Sequence, residues 1–213
     1  MALGYILGKG SAKLAKVKLN IPLVLVLSVI PDADILLQHI DGLSTLIPHR
    51  GPFHSVVLSS IIFIPIFAYY RKSAAPYFVA LIQHALIGDF FIGGQLELLW
   101  PISQQKFGFP IYISITSIQN VSLELSLFIV SLILLVATKD ILSLFRPNKS
   151  NLILAIPIFT VLLPTLMSYP LNVPVLMIPP HVVYTLIFAG SILIELWAVL
   201  NPKRTIKSEI GKK

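Results

Sequence analysis

Six long apolar runs restrict the fold of this chain more than any other feature. A helix needs roughly 20 apolar residues to cross a bilayer, and these runs reach or approach that length. They cover residues 21 to about 37, 55–70, 74 to about 93, 111–138, 152–167 and about 175 to 200. Apolar and polar residues do not alternate within them, unlike in the strands of a membrane β-barrel. The sequence therefore predicts an all-α, polytopic membrane protein with about six transmembrane segments.

The charged residues indicate how such a protein lies in the membrane. Only 12% of the 213 residues are charged, compared with about 25% in soluble domains. Of the 16 Lys and Arg residues, 14 fall on the side of the N-terminus, and only Arg50 and Lys106 fall on the other side. Because cytoplasmic loops are enriched in Lys and Arg, both termini are predicted to be cytoplasmic. A re-entrant first segment would swap the two faces, but the charge distribution argues against it.

The same reasoning bounds the partners and the domains. The net charge of +7 is interpreted as a topology signal, so the bilayer is the expected partner and nucleic acid is not. We expect one integral membrane domain over residues 1–213. It comprises a motif-bearing half (1–110), structural helices (111–200) and a basic cytoplasmic tail (201–213).

Ionisable side chains are costly in a membrane chain, and most of them cluster in the first half. Asp32 and Asp34 end the first segment, the loop "PHRGPFHS" carries His49, Arg50 and His54, and the third segment carries His84 and Asp89. The predicted topology brings all of them to the outer, extracytoplasmic face. In the second half, Glu124, His181 and Glu195 are scattered candidates.

Two interpretations of these side chains stay open at this point. Asp32 fits a Pro-Asp turn, and Ser55 fits the N-cap of the second segment better than a nucleophile. Alternatively, one metal site would account for the whole set. The chain has no cysteine, so a divalent ion, with zinc the first expectation, would be held by imidazole and carboxylate groups alone. Arg50 would then clamp an anionic group such as phosphate.

Four short motifs resemble, in the same order, the YdjM-like family of membrane-bound metal-dependent hydrolases. They are "IPDAD", "HRGPFHS", "HALIGD" and "LLWP", within residues 27–101. The resemblance implies hydrolysis at a bound divalent metal. It implies the metal ligands Asp32, Asp34, His49, His54, His84 and Asp89, and a catalytic set of Arg50, His54 and Asp34.

One spacing departs from the family pattern. The third motif is usually His-x-x-x-Asp, whereas Asp89 here is five residues after His84. On a regular helix, positions i and i+5 are about 140° apart, so the two side chains share a face only if the helix is distorted. A π-bulge or a helix end near Gly88 would provide that distortion.

The leading functional hypothesis is a metal-dependent hydrolase at the outer membrane face. Metal-activated water would attack a phosphoester or a lipid-linked substrate. The alternatives are a transporter or channel, and a non-catalytic membrane subunit with a remnant metal site.

Overall fold

The computed structural model describes residues 1–39, 47–169 and 172–202, and the described residues form a helical bundle. The α-helices are α1 (Ala2–Ala15), α2 (Ile21–Leu27), α3 (Val56–Tyr70), α4 (Ala75–Gln83), α5 (Ile118–Ala137), α6 (Asp140–Leu144), α7 (Lys149–Met167, a chain of short helical turns) and α8 (Ile178–Leu200). The 3₁₀ turns outside α7 are Ile30–His39, Pro52–His54, Arg71–Ser73 and Val175–Met177, and a π-helical turn His84–Asp89 continues α4. The predicted all-α class is confirmed. Most of the predicted basic tail, from residue 203 onward, lies outside the described residues.

Four of the described helices are long and apolar enough to cross a membrane. They are Val56–Ser73, Ile118–Ala137, Lys149–Met167 and Val175–Leu200, and they correspond to the second, fourth, fifth and sixth predicted segments. The fourth begins at Ile118, seven residues later than predicted, because residues 111–117 form no helix. The apolar faces of these four helices are largely exposed on the bundle surface, as expected of helices that contact hydrocarbon chains.

The first and third predicted segments are shorter and lie inside the bundle. Helix α2 has seven residues and gives way to a 3₁₀ turn that begins at Ile30. Pro31 has no backbone N–H to continue the α-helical ladder, which explains the change of helix type. Helix α4 has nine residues before the π-helical turn. Val24, Leu25, Tyr77 and Leu81 from these two helices are fully buried in the core.

Helix α1 occupies a place that the sequence did not predict. The six apolar runs predicted from the sequence begin at residue 21, but α1 precedes them and packs inside the bundle against α2 and α4. Its small residues Gly4, Gly8 and Ala12 recur every four positions and are buried. A Cβ atom on Gly4 would lie 2.2 Å from Cβ of Ser28, and one on Gly8 would lie 3.0 Å from Cγ1 of Val24. The small residues therefore permit close helix packing, as in membrane bundles generally.

The direction of α1 determines which end of the bundle holds Met1. Met1 lines the cavity together with Asp32 and His84. Lys9 pairs at 2.5 Å with Asp140, the first residue of α6, just beyond the far end of α5. Helix α8 likewise starts at the cavity, and its later residue Ser191 contacts Asn151 near the opposite end. Met1 and the described end of α8 thus lie at opposite ends of the bundle, while the C-terminal residues from 203 onward lie outside the described residues.

The glycine face of α1 gives a direct test of this packing. Gly4→Ala should destabilise the protein by about 1–3 kcal/mol, because overpacking a close helix contact forces backbone shifts. Gly10→Ala is the matched control in the same helix, since a Cβ there meets nothing within 4 Å. It should be neutral or slightly stabilising through helix propensity. Thermal unfolding in detergent measures both; equal effects of the two substitutions would contradict the packing of α1.

Candidate metal centre

The loop of residues 48–55 brings three ionisable side chains into one place. His49 and Arg50 form a turn in which Arg50 has a φ of 68°, and Pro52–His54 form a 3₁₀ turn. Ser55 then caps α3, because its Oγ accepts hydrogen bonds from the N–H groups of Val57 and Leu58. The same hydroxyl donates to the carbonyl of Trp100 at 2.6 Å. The cap assignment of Ser55 is thereby confirmed, and the hydroxyl is engaged in structure.

The π-helical turn of residues 84–89 resolves the unusual spacing of the third motif. A π-helix takes one more residue per turn than an α-helix, which places residues i and i+5 on the same side. Nε2 of His84 therefore lies 3.2 Å from Oδ2 of Asp89. The predicted distortion is confirmed. Gly88 is not sterically required there, since a Cβ on it would meet nothing within 4 Å.

Four side chains converge on one point: Asp32, His54, His84 and Asp89. Each offers one ligand atom, and these atoms all lie within 4.8 Å of one another. Nε2 of His54 is 2.8 Å from Oδ2 of Asp89, and Nε2 of His84 is 3.1 Å from Oδ1 of Asp32. Two imidazoles and two carboxylates form a donor set suited to zinc and similar divalent ions. We call these four residues the inner cluster.

Three inner-cluster residues, His84, Asp89 and His54, each contact a further group on the side that faces away from the cluster. Nδ1–H of His84 donates to the carbonyl of Ser28 at 3.2 Å, and Oδ1 of Asp89 accepts from Nη2 of Arg50 at 2.8 Å. Oδ2 of Asp34 lies 3.5 Å from Nδ1 of His54. Such outer contacts fix the tautomer and orientation of metal ligands.

Asp34 and His49 lie next to the inner cluster but outside it. Nδ1 of His49 lies 2.9 Å from Oδ1 of Asp34, which is fully buried. Together with His54 they form a second group that could hold an ion. His54 is common to both groups, with Nε2 directed to the inner cluster and Nδ1 to Asp34. The six predicted ligands are thus brought together, but as four inner and two outer residues.

Arg50 is engaged with the protein itself. Its Nη1 donates to the carbonyl of Gly94 at 2.9 Å, and its Nη2 donates to Asp89 and to the carbonyl of Ile92. A Cβ on Gly93, whose φ is +80°, would lie 2.5 Å from Nη2 of Arg50. The glycine therefore makes room for the guanidinium group. These contacts direct the guanidinium to Asp89 and to the carbonyls of Ile92 and Gly94; the anion-clamp role suggested by the sequence stays a prediction.

The inner cluster requires a cation or protons between its donors. Within the candidate ligand residues, five buried atoms have no hydrogen-bond partner of acceptable geometry in the described part of the chain: Oδ2 of Asp34, both ring nitrogens of His54, Nε2 of His84 and Oδ2 of Asp89. Lone pairs of carboxylate oxygen and imidazole nitrogen repel one another unless positive charge lies between them. The residues therefore fit a divalent ion. Without the ion, a proton on His54 takes its place: burial lowers the pKa of His54, but Asp32, Asp34 and Asp89 outweigh burial and raise it to about 11.

A cavity of about 500 Å³ opens beside the inner cluster. Asp32, His49, His84 and Asp89 reach it on one wall, while His54 and Asp34 lie behind them. Helices α5, α7 and α8 supply the other walls, which are mostly apolar. Glu124 and His181 also face this cavity, so two of the scattered second-half candidates belong to it. Glu195 is instead buried within α8, with 4% of its surface exposed.

Comparison with known families agrees with the motifs. The family model described as "YdjM inner membrane protein" matches residues 1–173. This chain belongs to the YdjM inner membrane protein family. The match extends well beyond residues 27–101, where the motifs lie, and it includes α1 and α5. No curated protein and no solved structure is significantly similar to this chain.

The π-helical turn can be tested by removing its extra residue. Deletion of Leu86 restores the His-x-x-x-Asp spacing, and on a regular helix residues i and i+4 are about 40° apart. The deletion should therefore retain metal binding in a competition assay with a chromophoric chelator. Asp89→Asn, the control, should lower the affinity at least about tenfold, as loss of metal-site residues does. Equal losses in both variants would contradict this expectation, because they would show that the i, i+4 spacing of a regular helix cannot replace the π-helical turn.

Metal binding should be coupled to proton release. Burial lowers the pKa of both ligand imidazoles, but the neighbouring carboxylates outweigh it and raise the pKa of His54 to about 11 and that of His84 to about 9. Both therefore carry a proton at neutral pH that an incoming ion must displace. The logarithm of the apparent affinity should therefore rise by about two units per pH unit between about pH 6 and pH 8, one for each displaced proton. Calorimetry in buffers of different ionisation enthalpy counts the released protons. His54→Asn should release fewer, and an affinity independent of pH would contradict the assignment.

Proposed function

We propose that the protein is a membrane-embedded metal-dependent hydrolase that acts on an ester of a lipid or lipid-linked substrate. The observation that carries this proposal is the inner cluster on the wall of a largely apolar cavity. Asp32, His54, His84 and Asp89 would hold the ion. A divalent ion held there would supply Lewis acidity and ease the deprotonation of water.

His49 is the residue best placed to move a proton during the reaction. Its Nδ1–H donates to Oδ1 of Asp34, which fixes the ring and leaves Nε2 as the basic atom. His49 lines the cavity, and about a third of its side chain is exposed. Asp34 orients this imidazole, as buried carboxylates do in catalytic triads. His49 would take a proton from water at Nε2 and return it to the leaving oxygen, which replaces its predicted role as a direct ligand.

The cavity supports a lipid as the substrate class. Its volume lies in the range of small-molecule sites, and apolar side chains such as Leu125, Phe128 and Leu162 line it beyond the cluster. A hydrocarbon chain would be stabilised there by burial. The phosphoester prediction relied on Arg50, whose guanidinium is directed to Asp89. The proposal therefore covers carboxylic and phosphoric esters, and both belong in the assay.

The distribution of basic residues supports an extracytoplasmic position for the site. Arg50 and Lys106 lie at the end of the bundle that carries the cluster. The other Lys and Arg among the described residues lie along or at the far end of the helices that run away from it. The positive-inside rule assigns that far end to the cytoplasm.

A transporter is the second candidate, and two side chains favour it. Glu124 and His181 belong to the long apolar helices α5 and α8, and both face the same cavity as the inner cluster. Ionisable groups on several helices around one cavity are typical of substrate or ion pathways. A transporter would move its substrate unchanged, so product analysis separates the two candidates.

The proposal is tested with purified protein in liposomes. Wild-type protein should bind divalent metal and release product from at least one member of a panel of lipid esters and phosphoesters. His84→Ala should lose the metal and the activity together. His49→Gln should retain the metal and lose about 10²–10⁴-fold in rate, the usual worth of a general acid–base. Metal binding with unchanged lipids across the panel would reject the hydrolase in favour of a transporter or a non-catalytic subunit.

A further inference from the structure

Residues 99–115 form an ordered, non-helical segment with an unusually apolar surface. It connects the π-helical turn to α5, and residues 92–117 contain no helix. Its large apolar side chains point outward: Ile102 is 78% exposed, Tyr112 70% and Ile111 65%. Leu99, Phe109 and Ile115 are also exposed. A soluble loop with this surface would be an aggregation liability, so the surface calls for an apolar partner.

The surface continues directly into the lipid-facing side of a membrane-spanning helix. Ile118 begins α5 with 63% of its surface exposed, and Leu123, Ile129 and Ile133 extend the exposed apolar face along the helix. The partner that covers α5 is the hydrocarbon of the bilayer. The same membrane therefore lies against residues 99–115, on the side that continues the face of α5.

The backbone of this segment limits how deep it can lie. Lipid-exposed irregular backbone does not occur within the hydrocarbon region, because its N–H and C=O groups would lack partners. Trp and Tyr favour the layer of the headgroups, where one end of the side chain is apolar and the other is wet. The segment contains Trp100 and Tyr112, and Lys106 is exposed beside them. Both constraints together select the interfacial layer.

We propose that residues 99–115 form an interfacial collar, which lies among the lipid headgroups at the cluster end of the bundle. The collar also fixes the height of the inner cluster relative to the membrane. The N–H of Gly93 donates to the carbonyl of Ile113 at 2.8 Å, and the N–H of Phe109 donates to the carbonyl of Phe90 at 2.7 Å. Ser55, next to His54, donates to Trp100. These bonds place the cluster close to the depth at which lipid ester groups lie, whether or not the site is catalytic.

Spin labels can measure the depth of the collar without reference to activity. The chain has no cysteine, so single nitroxide labels can be placed by Ile102→Cys and Tyr112→Cys. Ile133→Cys on the lipid-facing side of α5 is the hydrocarbon reference, and Arg146→Cys, exposed between α6 and α7 and outside the four spans, is the aqueous reference. All four positions are on the surface, where substitutions rarely perturb folding. The labelled proteins are reconstituted in phospholipid vesicles.

The readout is the accessibility of each label to oxygen, which dissolves in hydrocarbon, and to a nickel chelate, which stays in water. Labels at positions 102 and 112 should give depths between those of the two references. A nickel accessibility equal to that of the position 146 label would overturn the collar, because the segment would then lie in water. A depth equal to that of the position 133 label would overturn it too, because the segment would then lie in hydrocarbon. Either result leaves the hydrolase test unaffected.

Discussion

The burial of His54 among three carboxylates is the interaction on which the rest of the site depends. Its imidazole is fully buried, with one nitrogen facing Asp32 and Asp89 and the other facing Asp34. Buried charges are tolerated only when they are paired or coordinate a metal. The His54 imidazole therefore requires positive charge on its Nε2 side, either as a proton or as a metal ion. The contacts of His84 with Ser28 and of Asp89 with Arg50 hold these side chains in the orientation that requires this positive charge.

This requirement explains why the site is assembled from such short elements. A straight membrane-spanning helix cannot direct two ligands five residues apart to one point, and the 3₁₀ turn of residues 30–39 and the π-helical turn of residues 84–89 deviate from α-helix where the ligands lie. The long regular helices α5 and α8 supply walls and lipid contact instead. Helix α1 packs against α2 and α4, because its glycines let these helices approach it closely.

The sequence indicated which side chains come together in the candidate site, but not which of them lie inside the cluster and which outside it. Residue type and order identified the six cluster residues, and five-residue spacing identified the need for a distorted helix, because these depend on local geometry. The division into inner ligands and outer partners depends on side-chain directions in three dimensions. The sequence suggested Arg50 as an anion clamp because it does not show the direction of the guanidinium group. Helix α1 was missed because its lysines dominated the interpretation, although Gly4, Gly8 and Ala12 carried the packing signal.

The site lies at one end of the bundle, where polar groups with access to water and apolar walls can occur side by side. A metal-binding cluster needs polar groups and access for water, whereas the apolar walls supplied by α5, α7 and α8 suit a hydrocarbon chain. Both are available only where the hydrocarbon core meets the headgroups. The cavity extends from His49 and Asp89 toward Phe128 and Leu162, so it runs from the polar to the apolar side of that boundary. The lipid proposed as substrate would match both parts of this cavity, its polar group at the cluster and its hydrocarbon chain along the apolar walls.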